Sequence, residues 1–216
     1  MNPTDLAVYL VTDRALCLGR SLEEVVAEAV AGGCTMVQLR EKDADTGEFV
    51  ELARALAARL NPLDIPLLIN DRVDVALAAG VQGVHVGQSD MRVEDVRRLI
   101  GPDAILGLSV DTDEDIAVAQ SLPVDYLGVG PVFPTQTKKD SRGAPWGPDG
   151  LRRAVATTKF PLVGIGGVNL DNAAEVAASG VDGVAVVSAI CSASSPREAT
   201  AELVKAVRAG HEKAGA

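Results

Sequence analysis

PLLINDRVDVALAAGVQGVHV, residues 66–86, holds one complete step of the fold. It opens on a short apolar run, Pro66–Ile69, passes through Asn70-Asp71-Arg72, continues as an amphipathic helix-like segment, and ends on a second apolar run, Gly83–Val86. Runs this short and this uniformly apolar read as strands buried on both faces, which is the habit of a parallel sheet. The same alternation extends in both directions, with Ala7–Val11 and Met36–Leu39 before it and Ile105–Leu108, Tyr126–Val129, Leu162–Ile165 and Gly183–Val187 after it. Eight strand–helix units in 216 residues average about 27 residues each, close to the ~30 of a βαβ step. The expected architecture is a compact (β/α)8 TIM barrel occupying residues 1–216 as one domain. An open doubly wound sheet would place a GxGxxG turn after its first strand, and here Thr12-Asp13-Arg14 follows instead.

Helix starts support the alternation. Ser21 and Glu24 have capping-box spacing, Asp111 or Thr112 caps the segment carrying Glu114 and Asp115, and Pro196 opens the last helix. Ala79–Val86 resembles Ser179–Val186 at an offset of 100 residues. That is compatible with half-barrel symmetry, and equally with convergence of helix–Gly–strand junctions. No linker interrupts the chain, and the tail from about 210 to 216 is expected to fray.

Composition narrows the function. Hydrophobic residues make up 47%, yet there are only three Phe, two Tyr and one Trp, so the core is aliphatic. A formal net charge of −10 argues against nucleic acid and anionic membrane surfaces as partners, though not against a local cationic pocket. Cys17, Cys34 and Cys191 form no CxxC pair, which fits a reducing, cytoplasmic compartment and inert thiols. The N-terminal stretch has no signal-peptide pattern, and no apolar run is long enough to span a bilayer.

Polar residues gather where strands end, the catalytic face of a barrel. Gln38, Arg40 and Lys42 alternate at period two and so face one side. A guanidinium fork beside an ammonium suits a diphosphate. Asp71 and Asp90 end adjacent strands. They either cap the following helices or hold one Mg2+ together with substrate phosphate oxygens. Ser109 ends the fifth strand. The aperiodic stretch 130–150 carries Thr135, Thr137 and Lys138, a plausible anion cradle, and Trp146, either a lid or a packing residue. Gly166-Gly167 and the start of a helix at Ser188 fit the phosphate site common between the last two barrel loops. His85 reads as a packed, hydrogen-bonded interior residue and His211 as part of the tail. No GxSxG or HExxH occurs. Two anion sites in one pocket, without an evident base, suit displacement of a diphosphate by a phosphorylated acceptor.

YLVTD at 9–13, VQLREK at 37–42, NDR at 70–72, GVHVGQSD at 83–90, GLS at 107–109, DYLGVGPVFPTQTK at 125–138, GIGGV at 164–168 and GVAVVSAI at 183–190 together resemble the thiamine-phosphate synthase family. The resemblance implies a transferase of thiamine biosynthesis on a (β/α)8 barrel. Such an enzyme condenses 4-amino-2-methyl-5-(diphosphooxymethyl)pyrimidine with a thiazole phosphate and releases diphosphate. Its mechanism is dissociative, through a carbocation, with decarboxylation added when the thiazole is carboxylated. It also implies site roles. Gln38, Leu39, Arg40, Glu41, Lys42, Asn70, Ser109 and Lys138 would bind the pyrimidine diphosphate, with Arg40, Lys42, Ser109 and Lys138 catalytic. Thr135, Gln136, Thr137, Gly167, Val187 and Ser188 would bind the thiazole phosphate, and Asp71 and Asp90 would bind Mg2+. A thiazole tautomerase of the same barrel type relies on a histidine just after the fifth-strand serine, where this sequence has Asp111. A non-catalytic phosphate-binding barrel would have no use for the acidic pair.

Overall fold

The computed structural model describes residues 6–135 and 142–215. Eight parallel strands close into a barrel in sequence order: β1 (Val8–Val11), β2 (Met36–Leu39), β3 (Leu67–Asn70), β4 (Gly83–Val86), β5 (Ile105–Val110), β6 (Tyr126–Val129), β7 (Leu162–Ile165) and β8 (Gly183–Val186). β8 returns to pair with β1, Ala185 opposite Tyr9. The helices that cover it are α1 (Leu22–Ala31), α2 (Thr46–Leu60), α3 (Val73–Ala79), α4 (Val93–Ile100), α5 (Asp113–Ala119), α6 (Gly147–Thr157), α7 (Ala173–Ala177), the single-turn α8 (Ser188–Cys191) and α9 (Pro196–Ala214). The expected barrel is the observed one.

Period-two alternation sorts each strand into two cores. Val8, Leu10, Val37, Leu39, Leu67 and Ile69 point outward into the layer shared with the helices. Tyr9, Val11, Met36, Leu68, Tyr126, Val163 and Ala185 fill the barrel itself. Strands buried on both faces have no room for a polar side of their own, which is why they read as uninterrupted apolar runs.

A repeated device ties the strand starts together. The side chain just before a strand accepts from a backbone N–H in the first two residues of the preceding strand: Thr35 from Val8 at 3.0 Å, Gln82 from Leu67 at 3.0 Å, Asp125 from Leu106 at 2.7 Å and Asp182 from Leu162 at 2.7 Å. The glycines that follow at 83 and 183 are needed because a methyl there would strike the Ile105 or Leu6 carbonyl. The resemblance between the two junctions therefore has a local cause, the crowding of strand against strand.

Ser21 and Glu24 form the expected reciprocal cap of α1. Of the two candidates for α5, Thr112 is the cap, paired with Asp115. Within the tail expected to fray from about 210, α9 continues to Ala214. Gly210 lies so close to the Ala174 carbonyl that a Cβ would collide with it, and His211 Nε2 bonds the Val181 carbonyl at 2.9 Å. Close helix packing and that bond hold this terminal turn.

These contacts predict a contrast between two glycines. Gly183→Ala should destabilise the protein by about 1–3 kcal/mol, the usual cost of overpacking. Gly47→Ala, in the first turn of α2 with open space around it, should be neutral or stabilising by up to about 1 kcal/mol. Chemical denaturation of the two variants measures both.

Candidate active site

The C-terminal ends of the strands surround a cavity of about 680 Å³. Just beyond β2 the chain stays tied to the end of β1, because Thr12 N donates to the Gln38 carbonyl at 2.9 Å and Arg40 N donates to Thr12 Oγ1 at 3.0 Å. That pinning carries the period-two pattern past the strand, and Gln38, Arg40 and Lys42 all line the cavity. Arg40 lies 3.6 Å from Asp13, and Lys42 Nζ lies 3.0 Å from Asp71 Oδ2. Both pairs are partly in water, where an ion pair is worth at most about 1 kcal/mol. An anionic ligand can therefore recruit either cation at little cost. The same alternation turns Leu39 and Glu41 away. Leu39 is buried in the layer under the helices, and Glu41 pairs with Arg14 at 3.0 Å, so neither side chain forms part of the cavity wall.

Asp71 and Asp90 cap nothing. The residues at the N-cap positions of α3 and α4 are Arg72 and Arg92, and neither makes a side-chain cap bond. Asp71 instead sits in a left-handed conformation, φ 62°, with its N–H donating to the His85 carbonyl at 2.9 Å. Non-glycine residues rarely take that conformation, and Asp tolerates it better than most. Asp90 Oδ2 accepts from Gly87 N at 2.7 Å, and a Cβ at Gly87 would press on that oxygen at 3.0 Å. Burial pushes the Asp90 carboxyl above its ordinary value, and the neighbouring Asp71 carboxylate pushes it further. Two acidic groups thus face each other at the rim, beside Asn70, Arg40 and Lys42.

The opposite wall is built from the ends of β7 and β8. Gly166 and Gly167 both have positive φ, 92° and 69°. A Cβ on Gly166 would lie 2.9 Å from Pro131, and one on Gly167 would lie 2.7 Å from Phe133 Cβ. The glycine pair is therefore required by the loop after β6. Asn172 Nδ2 holds the Gly167 carbonyl at 3.0 Å. Val187 and Ser188 follow β8 on the same wall, and Thr135 reaches it from the β6 loop. Gln136, Thr137 and Lys138 lie outside the described residues. Where the chain resumes, Arg142 lines the cavity and grips the start of α5. Its N–H donates to Asp111 Oδ2 at 3.2 Å, and its guanidinium meets both Asp115 oxygens at 2.7 Å. Trp146 is a packing residue, set against the helix-side core just before α6.

Sequence reasoning missed the floor. Tyr9 and Tyr126 stand edge-on with centroids 6.1 Å apart, and their hydroxyls are 2.9 Å from one another. Gln38 Nε2 donates to Tyr9 Oη at 2.6 Å, Tyr126 Oη meets His85 Nδ1 at 2.7 Å, and His85 Nε2 meets Ser109 Oγ at 2.9 Å. His85 is the interior, hydrogen-bonded residue expected. The available signal for the rest was that the only two tyrosines of the chain fall at inward strand positions. Burial raises the Cys17 thiol and holds Cys191 at about 12, so neither is a thiolate nucleophile.

Comparison with known proteins follows the same map. The family model for thiamine monophosphate synthase matches residues 8–190. The thiamine-phosphate synthase of Solidesulfovibrio magneticus is 58% identical over 204 residues, covering 94% of this chain and 96% of its own. That of Albidiferax ferrireducens is 56% identical over 191 residues, covering 88% and 87%. The structure of thiamine phosphate pyrophosphorylase from Pyrococcus furiosus superposes with a TM-score of 0.88 at 43% identity, covering 95% of this chain and 97% of that one. A 3-hexulose-6-phosphate synthase at 17% identity and TM-score 0.67 shares the barrel alone. With the fold, the whole span of the motifs and identities above one half in agreement, this chain belongs to the thiamine-phosphate synthase family.

Proposed function

We propose that this family member joins the methylene carbon of 4-amino-2-methyl-5-(diphosphooxymethyl)pyrimidine to the ring nitrogen of a thiazole phosphate and releases diphosphate, in the cytoplasm. The observation that carries the reading is the polarity of one cavity. Arg40, Lys42 and the Asp71–Asp90 pair stand at one rim, and Gly166-Gly167 with Ser188 stand at the other. Two anionic substrates can enter from opposite sides and meet over the hydrogen-bonded floor.

The acidic pair fits Mg2+. Among the described residues no third His, Cys, Asp or Glu completes a protein cage, and Mg2+ characteristically takes one or two carboxylates and fills its remaining positions with water and phosphate oxygens. Held by Asp71 and Asp90, Mg2+ would neutralise charge on the diphosphate. Arg40 and Lys42 hold the same group by charge-assisted hydrogen bonds, with Lys138 the further cation expected from its motif. The bond between methylene carbon and diphosphate oxygen breaks, and the oxygen takes the electron pair. The thiazole nitrogen then supplies its lone pair to the carbon. No proton is removed in forming that bond, so a site whose one histidine is bonded at both ring nitrogens is adequate. Thr135, Gly167, Val187 and Ser188 orient the thiazole phosphate, with Gln136 and Thr137 assigned beside them by motif. The tautomerase reading is less favoured because the position where that branch relies on a histidine holds Asp111, a cavity-lining carboxylate that Arg142 also binds.

The deciding assay mixes the two substrates with and without Mg2+ and quantifies thiamine phosphate and diphosphate. Equimolar, Mg2+-dependent formation of both is expected, and folded protein that yields neither refutes the reading. Asp71→Asn should raise the Mg2+ concentration for half-maximal rate by at least about tenfold, since even an outer-shell partner costs that much, with an unchanged melting profile. Arg40→Ala should raise KM for the pyrimidine diphosphate alone, and Ser188→Ala should raise KM for the thiazole phosphate alone. Each effect should be about 10–100-fold, the weight of a hydrogen bond to a charged group. Crossed effects would show that the two rims are assigned the wrong way round.

A further inference from the structure

Four consecutive hydrogen bonds cross the barrel from Gln38 through Tyr9, Tyr126 and His85 to Ser109, at 2.6, 2.9, 2.7 and 2.9 Å. The two ends lie on different strands, β2 and β5, and both line the cavity. The tyrosines between them are buried. The strands on either side make room for this chain. A methyl at Gly107 would collide with the Tyr126 ring and with His85 Nδ1, and one at Gly128 would lie 3.2 Å from His85 Cε1. Two glycines in neighbouring strands leave space for a tyrosine and a histidine to touch.

With the Gln38 amide nitrogen facing Tyr9, proton counting fixes the direction. Each phenol has one proton, and burial raises both phenols well above their ordinary value, so both stay protonated. Tyr9 already receives the Gln38 amide proton, so its own proton goes to Tyr126. Tyr126 then donates to His85 Nδ1. A neutral imidazole that accepts at Nδ1 donates at Nε2, here to Ser109 Oγ. With the Gln38 amide nitrogen turned to Tyr9, running the chain in reverse would bring two donors onto Tyr9 and leave its own proton without a partner in the chain, which native structures avoid; the reverse run is satisfied only when the Gln38 amide turns over to accept from Tyr9.

We propose that His85 is a positioning residue, held as the neutral Nε2–H tautomer, which obliges Ser109 to present its hydroxyl proton to the ligand while Gln38 presents its carbonyl oxygen. The chain thus sets an acceptor at one end of the pocket and a donor at the other, and neither can reverse without the other. An acceptor at Gln38 suits an exocyclic amine, and a donor at Ser109 suits an oxyanion. This deepens the proposed function and rests on it for the identity of the ligand. The tautomer itself does not depend on that reading.

The test begins with ligand-free protein. The chain has two histidines, so uniform 15N-histidine labelling with His211→Gln as the assignment control isolates the His85 ring. Long-range 1H–15N spectra at neutral pH should show an unprotonated Nδ1 and a protonated Nε2, and Tyr126→Phe should abolish that preference. A protonated Nδ1 in the unmodified protein overturns the proposal whatever the enzyme catalyses. Kinetics supply the second arm. Asparagine at 85 reaches only the Tyr126 side, whereas glutamine can place an N–H where Nε2 stood. His85→Asn should lower kcat/KM for the pyrimidine diphosphate by roughly tenfold, within the span for a hydrogen bond to a charged group, and His85→Gln should recover most of it. In a Ser109→Ala background the further loss from His85→Asn should be less than about twofold. Losses that multiply independently would show that His85 does not act through Ser109.

Discussion

Inward-facing side chains of an eight-stranded barrel share one narrow space, so a large residue on one strand requires a small one beside it. The rest of this structure depends on that constraint. Tyr126 and His85 can meet inside the barrel only because Gly107 carries nothing. Gly128 does the same for the His85 ring. The strand that gives up its side chain at Gly107 delivers Ser109 to the cavity two residues later. The polar floor and the tight strand packing are therefore one arrangement.

Above that floor the barrel separates two kinds of work. Strand ends place the chemistry, because their register is fixed by hydrogen bonds around the full circle. The extension of β2 through Thr12 lets Arg40 and Lys42 inherit the strand's alternation beyond its formal end. The loops then adapt to the strands. Asp71 accepts an unusual backbone conformation, and Arg142 fastens the far end of the β6 loop to the start of α5. Charge is paired loosely at the rim, whereas the tyrosines and histidine of the floor are hydrogen-bonded to one another, so the rim can respond to a ligand while the floor stays rigid.

Much of this was legible in the residues. Apolar runs of about four residues mark the strands because both faces are buried. Asp71 and Asp90 stand out because they follow strands, and the structure removes the competing capping role by starting both helices elsewhere. What was not legible depends on contacts between distant strands. Leu39 and Glu41 fall inside a functional motif, and only the observed extension of β2 shows that their side chains face the other way. The Tyr9–Tyr126–His85 chain joins residues 117 and 41 positions apart, and no spacing rule connects them. As a terminal segment the end of α9 is expected to fray, whereas Gly210 lets two helices touch there.

The wedge of Gly166 and Gly167 against Pro131 and Phe133 has a consequence for exchange of parts between barrels of this kind. Loops at the open end of a barrel are commonly treated as modules that can be lengthened or swapped while the scaffold stays still. Here the backbones of two successive loops interlock, with Val132 N and Phe133 N donating to the Ile165 and Gly166 carbonyls at 2.9 and 3.0 Å. A loop grafted after β6 would have to arrive with its own β7 turn, and the smallest transplantable piece is the pair.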